Sequence, residues 1–67
     1  MKIEWIKDTT IIVFQDEEES DSYNIKTGEV DEVDVIFENE QVIDIQFGDG
    51  SAAFGIEKDC YTVLAYN

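Results

Sequence analysis

The chain contains no histidine, no arginine and no proline, and it has a single cysteine among its 67 residues. Without histidine and arginine it lacks the usual general base, the catalytic triad and the arginine clamp of phosphoryl transfer. One cysteine excludes an internal disulfide, and because no leader is recognisable we expect a reducing cytoplasm. No apolar run approaches the roughly 20 residues of a membrane helix. These absences predict a binding protein that is not an enzyme and has no cofactor or metal site.

The charge is strongly one-sided. The chain has seventeen acidic residues and only four lysines, which gives a formal net charge of −13. Binding to nucleic acid or to an anionic membrane needs basic residues, so neither is expected. Yet 43% of the residues are hydrophobic, whereas disordered acidic tails are poor in aromatic and β-branched residues. The composition therefore predicts a folded core inside a negative shell.

The stretch from Val33 to Phe54 organises the chain. Apolar and polar residues alternate with a period of two, which is typical of β-strands. A three-residue loop at residues 39–41 and a two-residue turn at Asp49 and Gly50 divide the stretch into three antiparallel strands. A slip of one residue would turn every side chain to the other face, so burial selects the register.

This register predicts the pairs Phe37–Ile43, Val35–Ile45 and Val33–Phe47 in the first hairpin, and Phe47–Ala52 and Ile45–Phe54 in the second. The predicted inner face comprises Val33, Val35, Phe37, Ile43, Ile45, Phe47, Ala52 and Phe54.

The flanking segments predict further strands and loops. The charged run Asp16 to Asp21 has no apolar periodicity, so we expect a solvated loop. Thr27 and Gly28 predict a turn, and Glu29 to Glu32 a connection into the central strands. Residues 56–60 suit one turn of 3₁₀ helix. The other predicted strands are Lys2 to Ile6, Thr9 to Gln15 in a central or doubly covered position, Ser22 to Lys26 with Tyr23 and Ile25 inward, and Tyr61 to Tyr66.

The segment from Gly55 to Leu64 resembles the end of an SH3-like barrel, where a glycine precedes a short 3₁₀ turn and a closing strand. In that resemblance Asp49 and Gly50 form the distal hairpin, and residues 16–28 occupy the long first loop. The implied fold is an all-β, five- to six-stranded antiparallel SH3-like barrel with one 3₁₀ turn near residues 56–60, and residues 1–67 form a single domain. The paired tryptophans and the proline of the proline-rich peptide site are absent, so that function is not implied. An OB-like barrel is the alternative fold.

Other chemistry is less well supported. Gly48 to Gly50 indicates a hairpin turn rather than a phosphate loop, and Cys60 a small buried hydrophobe. The run Asp16 to Asp21 offers oxygen ligands for Ca²⁺ or Mg²⁺ but lacks the spacing and central glycine of an EF-hand loop. Trp5, Tyr23 and Tyr66 are predicted at the rim of the core, where aromatic residues also serve as interface anchors.

Three functions remain open. The leading hypothesis is a non-enzymatic inhibitor that mimics nucleic acid and blocks a basic site on a nucleic-acid-binding enzyme; it resembles phage and mobile-element counter-defence proteins in charge and size. The alternative is an SH3-like adaptor that docks on a protein partner through a sheet edge or loops, and the third is a divalent-cation protein.

The small core and open strand edges also favour a homodimer. Solubility alone is a simpler explanation for the excess of acidic residues. The predicted partner-binding residues are Glu29, Asp31, Glu32, Asp34, Ile36, Glu38, Val42 and Asp44.

Overall fold

Alternating apolar residues and short turns produce one antiparallel sheet. The computed structural model describes residues 1–15 and 18–66, and of residues 18–20 it describes only the backbone. Within this part of the chain the elements are β1 (Lys2–Trp5), β2 (Thr9–Gln15), β3 (Glu18–Ile25), β4 (Val30–Glu38), β5 (Val42–Phe47), β6 (Ala52–Glu57), a 3₁₀ helix (Lys58–Cys60) and β7 (Tyr61–Ala65).

The strand order in the sheet is β3-β2-β6-β5-β4-β1-β7, and the sheet curls into a half-barrel. The described residues thus form seven strands rather than the predicted five or six. The prediction of an all-β fold with a short 3₁₀ turn is confirmed, although the turn is shorter than residues 56–60 because Ile56 and Glu57 extend β6. No described helix is long and apolar enough to cross a membrane.

The acidic run contributes a strand, which corrects the prediction of a loop. Gln15 pairs with Glu18, and the pairing continues to Thr9 opposite Ile25. Residues 16 and 17 lie outside the described part of the chain. The charged residues lack an apolar period, but backbone hydrogen bonds to the strongly β-forming segment β2 are enough to extend them. The strand propensities of the charged residues alone therefore do not predict β3, which forms because it pairs with β2.

The core lies on the concave side of the sheet. Trp5 is fully buried at its centre, and its indole ring contacts Tyr61 edge-to-face with ring centroids 6.3 Å apart. The prediction that Trp5 lies at the rim is therefore wrong. Cys60 is buried as predicted. The buried apolar residues are Ile3, Trp5, Ile11, Val13, Ile25, Val33, Ile43, Ile45, Ala53, Ile56, Cys60 and Tyr61.

The turn between β4 and β5 differs from the prediction. Glu40 and Gln41 form a two-residue loop, because the Asn39 amide donates to the Val42 carbonyl at 3.1 Å. The Asn39 side-chain oxygen also accepts hydrogen bonds from the amides of Gln41 and Val42, each at 2.8 Å. Asparagine stabilises tight turns in this way, so the turn begins one residue later than expected.

A β-bulge at Ile36 compensates for the shorter turn, so that the shift in strand pairing is limited to the residues near the turn. Phe37 pairs with Asp44 rather than with Ile43, and paired residues share a face of the sheet. Phe37 therefore lies on the outer face, half exposed, which corrects its predicted inward position. Beyond the bulge the predicted pairs Val33–Phe47 and Val35–Ile45 are confirmed.

The second turn differs in the opposite sense, because it is one residue longer than predicted. The Phe47 amide donates to the Ser51 carbonyl at 2.8 Å, so Gly48, Asp49 and Gly50 form a three-residue loop. Gly50 has φ +92°, which is typical of the left-handed residue that closes such loops. The Asp49 carboxylate fixes the loop by accepting hydrogen bonds from the amide and hydroxyl of Ser51, at 3.0 and 2.5 Å.

This longer loop reverses the faces of β6. Ala53, not Phe54, pairs with Ile45 and is buried, while Phe54 is half exposed on the outer face. Ala52 pairs with Gln46 instead of Phe47 and is turned outward. The predicted inner face is therefore correct for Val33, Ile43, Ile45 and Phe47, while Val35 keeps its predicted partner but is half exposed.

Candidate acidic binding surface

Three of the four lysines are engaged in ion pairs within one group of loops. Residues 6–8, 26–29, 38–41 and 58–60 form this lysine-bearing loop cluster; backbone hydrogen bonds link Ile6 to Cys60 and Lys58 to Gln41. Its ion pairs are Lys7–Asp59 at 2.9 Å, Lys26–Asp8 at 3.9 Å and a close contact between Lys58 and Glu38.

Two of these contacts shift the pKa of charged groups. The hydrogen bond between Lys7 and Asp59 raises the pKa of the ammonium and lowers the pKa of the carboxyl. The hydrogen bond to Glu38 likewise raises the pKa of Lys58. The fourth lysine, Lys2, lies opposite Glu32 in the β1–β4 ladder. Three of the four lysine charges are thus neutralised locally, and among the described side chains only Asp8, Glu38 and Asp59 form an ion pair with a lysine.

A groove with an apolar floor and an acidic rim adjoins the lysine-bearing loop cluster at Glu29. It has a volume of about 390 Å³. Ile11, Val13, Ile25 and Phe47 form its floor, Tyr23 forms one wall, and Glu29, Asp31, Glu32 and Asp49 form its rim. We call this the acidic groove; none of the described residues that line it is a lysine.

Tyr23 shapes the groove because of its position in the β2–β3 hairpin. It pairs with Ile11 and therefore lies on the inner face, as predicted. It is nevertheless 53% exposed, since β3 is the last strand of the sheet and is covered only in part. An aromatic face thus stands beside four carboxylates.

Neutral hydrogen-bond donors orient three of the rim carboxylates. The Trp5 indole N–H donates to Asp31 Oδ2 at 2.8 Å. The Lys26 backbone amide donates to Glu29 Oε2 at 2.6 Å. Ser51 donates its amide and its hydroxyl to Asp49 Oδ1, which lowers the pKa of that carboxyl. Each of these bonds engages one oxygen of a carboxylate and fixes the direction of the other.

The outer face of the sheet carries a second feature, an apolar patch around Asp44. Phe14 and Phe54 are in contact, with ring centroids 5.5 Å apart. Phe37 flanks Asp44 from the opposite side, across β5. We define the outer patch as Ile12, Phe14, Ile36, Phe37 and Phe54, of which all but Phe14 are about half exposed. Large contiguous apolar patches on soluble proteins are typical of interaction surfaces.

Asp44 has a structural role within the outer patch. Its Oδ1 accepts a hydrogen bond from the Gly55 amide at 2.7 Å. Gly55 has φ +71° and lies in a bulge of β6 opposite Asp44. A bulge leaves one residue without its ladder partner, and the carboxylate supplies that partner here.

The structure divides the eight predicted partner-binding residues between these regions. Glu29, Asp31 and Glu32 lie at the rim of the acidic groove. Ile36 and Asp44 belong to the outer patch, next to half-buried Val42. Asp34 is exposed between the two regions, opposite Gln46. Glu38 is paired with Lys58 and belongs to the lysine-bearing loop cluster.

Several residues of these surfaces were missed from the sequence. Phe37 and Phe54 were assigned to the core because the turn lengths were each wrong by one residue. Asp49 was assigned only to a turn, although the short spacing to Ser51 is a signal for side-chain capping. The rim role of Asp49 depends on the curl of the sheet, which no local pattern encodes.

Metal binding finds no support within the described residues. There, no three potential ligands come together in a way that could hold a metal ion. Asp16 and Glu17 of the acidic run lie outside the described part of the chain, as do the side chains of residues 18–20.

Comparisons with known proteins identify no relative. No protein-family model, curated protein or solved structure matches the chain.

Proposed function

We propose that this chain is a non-enzymatic binding protein that occupies the nucleic-acid site of a basic partner protein. The observation that carries the proposal is the separation of charge. Three lysines are paired within the lysine-bearing loop cluster, while among the described residues Asp34 of β4 and the four rim carboxylates of the acidic groove form no ion pair with a lysine. These carboxylates therefore keep their negative charge available to a partner.

The spacing of the carboxylates supports mimicry of a nucleic-acid backbone. Residues on one side of a strand lie about 6.6–6.8 Å apart, which is within the Debye length of about 8 Å at physiological salt. Glu32 and Asp34 have this spacing on β4, and the carboxylate residue Glu4 lies on the neighbouring strand β1, opposite Val30. Their fields add, and a site built to bind phosphates would experience a similar array.

The second candidate is an SH3-like adaptor, and the outer patch favours it. Apolar contact surface is of no use to a pure charge mimic, but it suits docking on a protein. The order β7-β1-β4-β5-β6, with the 3₁₀ helix before the last strand, supports the SH3-like resemblance. In addition, β3 and β7 each have a free edge in the described sheet, and such edges accept a further strand.

Affinity capture from a cell lysate at low and high salt tests the first proposal. We expect basic nucleic-acid-binding proteins to be retained at about 50 mM salt and to lose at least about tenfold in affinity at about 200 mM, because several charged contacts are screened together. Added DNA or RNA should displace them. If no nucleic-acid-binding protein is retained at low salt, the mimic proposal is wrong.

Two matched pairs of variants separate the candidates. Glu32→Gln with Asp34→Asn should weaken capture more than Glu40→Gln with Glu57→Gln, although both pairs change the net charge equally. An adaptor would instead show shallow salt dependence and would lose its partner on Phe54→Ser. Circular dichroism of each variant confirms that the fold is retained.

A further inference from the structure

We infer that the acidic groove receives an arginine side chain, presented by an extended basic segment of the partner. The inference rests on the proposed function, since it specifies which group of a basic partner the surface recognises. It is carried by the combination of an apolar floor, an exposed aromatic wall and oriented carboxylates within one groove.

The curl of the sheet creates the groove. In the strand order, three strands separate β3 from β4, yet residues of both elements line the same cavity. The β5–β6 turn closes one end through Gly48 and Asp49. At about 390 Å³, the groove falls within the range of about 300–1,000 Å³ that is usual for ligand sites.

The floor suits a long aliphatic stem. Ile11, Val13 and Ile25 are buried core residues whose surfaces form the base of the groove. Arginine and lysine both lay their methylene groups on apolar surfaces while the charged head reaches polar groups. An acidic amino acid or a neutral apolar side chain would leave either the floor or the rim without a complement.

The rim and the wall favour a guanidinium over an ammonium. Glu29 directly precedes β4, Asp31 lies at the start of that strand and Asp49 lies in the β5–β6 turn, and neutral donors fix the direction of each carboxylate. A planar guanidinium has five donors in a fixed fork and can bridge two such carboxylates, whereas an ammonium is a compact point charge. The exposed face of Tyr23 adds a stacking surface that arginine uses more often than lysine.

A divalent cation fits the groove less well. Within the described residues no three carboxylates converge on one point, while Ca²⁺ needs six to eight oxygen ligands at close range. The apolar floor would also contribute nothing to a hydrated ion. The dispersed carboxylates instead match a cation whose charge is spread over several atoms.

The test is a ¹⁵N NMR titration of the full chain with two peptides, acetyl-glycyl-arginyl-glycine amide and acetyl-glycyl-lysyl-glycine amide. We expect the arginine peptide to bind about fivefold or more tightly than the lysine peptide, because it gains bidentate and stacking contacts. Its largest amide shifts should fall on residues 23–25, 29–32 and 47–51. Equal affinity for the two peptides would overturn the inference.

A matched pair of double variants separates the groove from general charge. Glu29→Gln with Asp49→Asn removes two rim charges but keeps an acceptor oxygen for each internal hydrogen bond. Glu40→Gln with Glu57→Gln removes two charges outside the groove. We expect the first pair to weaken the arginine peptide about tenfold and the second less than twofold; equal losses would mean non-specific attraction and would refute the site.

Tyr23 provides an independent check. Tyr23→Phe should retain the preference for arginine, and Tyr23→Ala should reduce it, because the ring face rather than the hydroxyl makes the contact. If basic proteins are captured as proposed but the peptide shifts lie on the outer patch, the proposed function stands and the groove inference is wrong. If the groove binds the arginine peptide but no nucleic-acid-binding protein is captured, the inference stands and the mimic proposal is wrong.

Discussion

Asp59 and Glu38 of the lysine-bearing loop cluster are held by different means from Asp31 and Asp49 of the acidic groove. In the cluster, Asp59 and Glu38 contact lysine ammonium groups. At the groove, Asp31 and Asp49 accept hydrogen bonds from the neutral groups of Trp5 and Ser51. A neutral donor fixes a carboxylate without cancelling its charge, whereas a lysine fixes it and neutralises it.

This difference explains how a chain with so few cations presents an ordered negative surface. Exposed ion pairs contribute little to stability because solvent and salt screen them. Hydrogen bonds to neutral donors leave the charge available to a ligand. The groove is thus suited to binding, and the cluster mainly joins loops. The same distinction applies to Asp44, which the Gly55 amide holds within the outer patch.

The largest expected effect comes from the donor of Asp31. Trp5→Ala should lower the free energy of unfolding by about 3–5 kcal/mol, because it removes the fully buried centre of the core, and it also frees Asp31. The comparison variant Lys7→Gln, which breaks the exposed ion pair with Asp59, should have a far smaller effect. Urea unfolding measures both, and similar losses would contradict the position of Trp5 at the centre of the core. If Trp5→Ala does not fold, Trp5→Phe provides an intermediate case.

An effect of intermediate size is expected at Gly55. Gly55→Ala should destabilise the chain by about 1–2 kcal/mol, because an L-residue is strained at positive φ. An added Cβ would meet no atom within 4 Å, so the loss reports backbone strain alone. Gly48→Ala is the matched control: it also meets nothing within 4 Å and has no positive φ, so thermal unfolding should change little. Equal losses at the two glycines would show that the bulge opposite Asp44 is not strained.

The smallest expected effect is on the pH dependence of the stability of the fold. Asp49 and Asp59 both have a lowered pKa, the first through Ser51 and the second through Lys7. A carboxyl with a folded pKa below its unfolded value stabilises the fold above that unfolded value, and the contribution is lost as pH falls through the folded pKa. Asp49→Asn should therefore flatten the acid side of the stability profile, as measured by thermal unfolding at several pH values.

Salt distinguishes the two carboxyls further. In about 1 M NaCl, where the Debye length is about 3 Å, the pKa of Asp59 should rise toward its ordinary value because the ammonium is screened. The pKa of Asp49 should remain low, since its partners are neutral. Carboxyl NMR titrations at low and high salt measure both, and a parallel rise would contradict the distinction between the two regions.

Much of the fold could be predicted from the sequence. The β-branched run from Thr9 to Gln15 predicted β2 with its observed bounds, and Ile3 shares its buried face with Trp5 as their spacing predicts. The alternation of apolar and polar residues also predicted the pairs Val33–Phe47 and Val35–Ile45 of the β4–β5 hairpin. These features depend on local period and composition, which the sequence carries directly.

The register near the turns and the burial of the aromatics could not be predicted in this way. The Asn39 side chain and the three-residue loop at Gly48 to Gly50 each moved a turn by one residue. Those shifts carried Phe37 and Phe54 from the predicted core to the outer patch. The binding-residue prediction included three residues of the groove rim but joined them to the outer patch, since Asp31, Glu32 and Ile36 lie along one strand, β4.

The sequence by itself determined an acidic, all-β chain with one apolar face and very little positive charge, because composition and a period of two are local properties. Only the tertiary structure decided which carboxylates are neutralised and which surround a groove. The curl of the sheet brings β3 beside the start of β4 across three intervening strands. Such contacts between distant segments depend on loop lengths and bulges, and a shift of one residue in either reverses the faces of a strand.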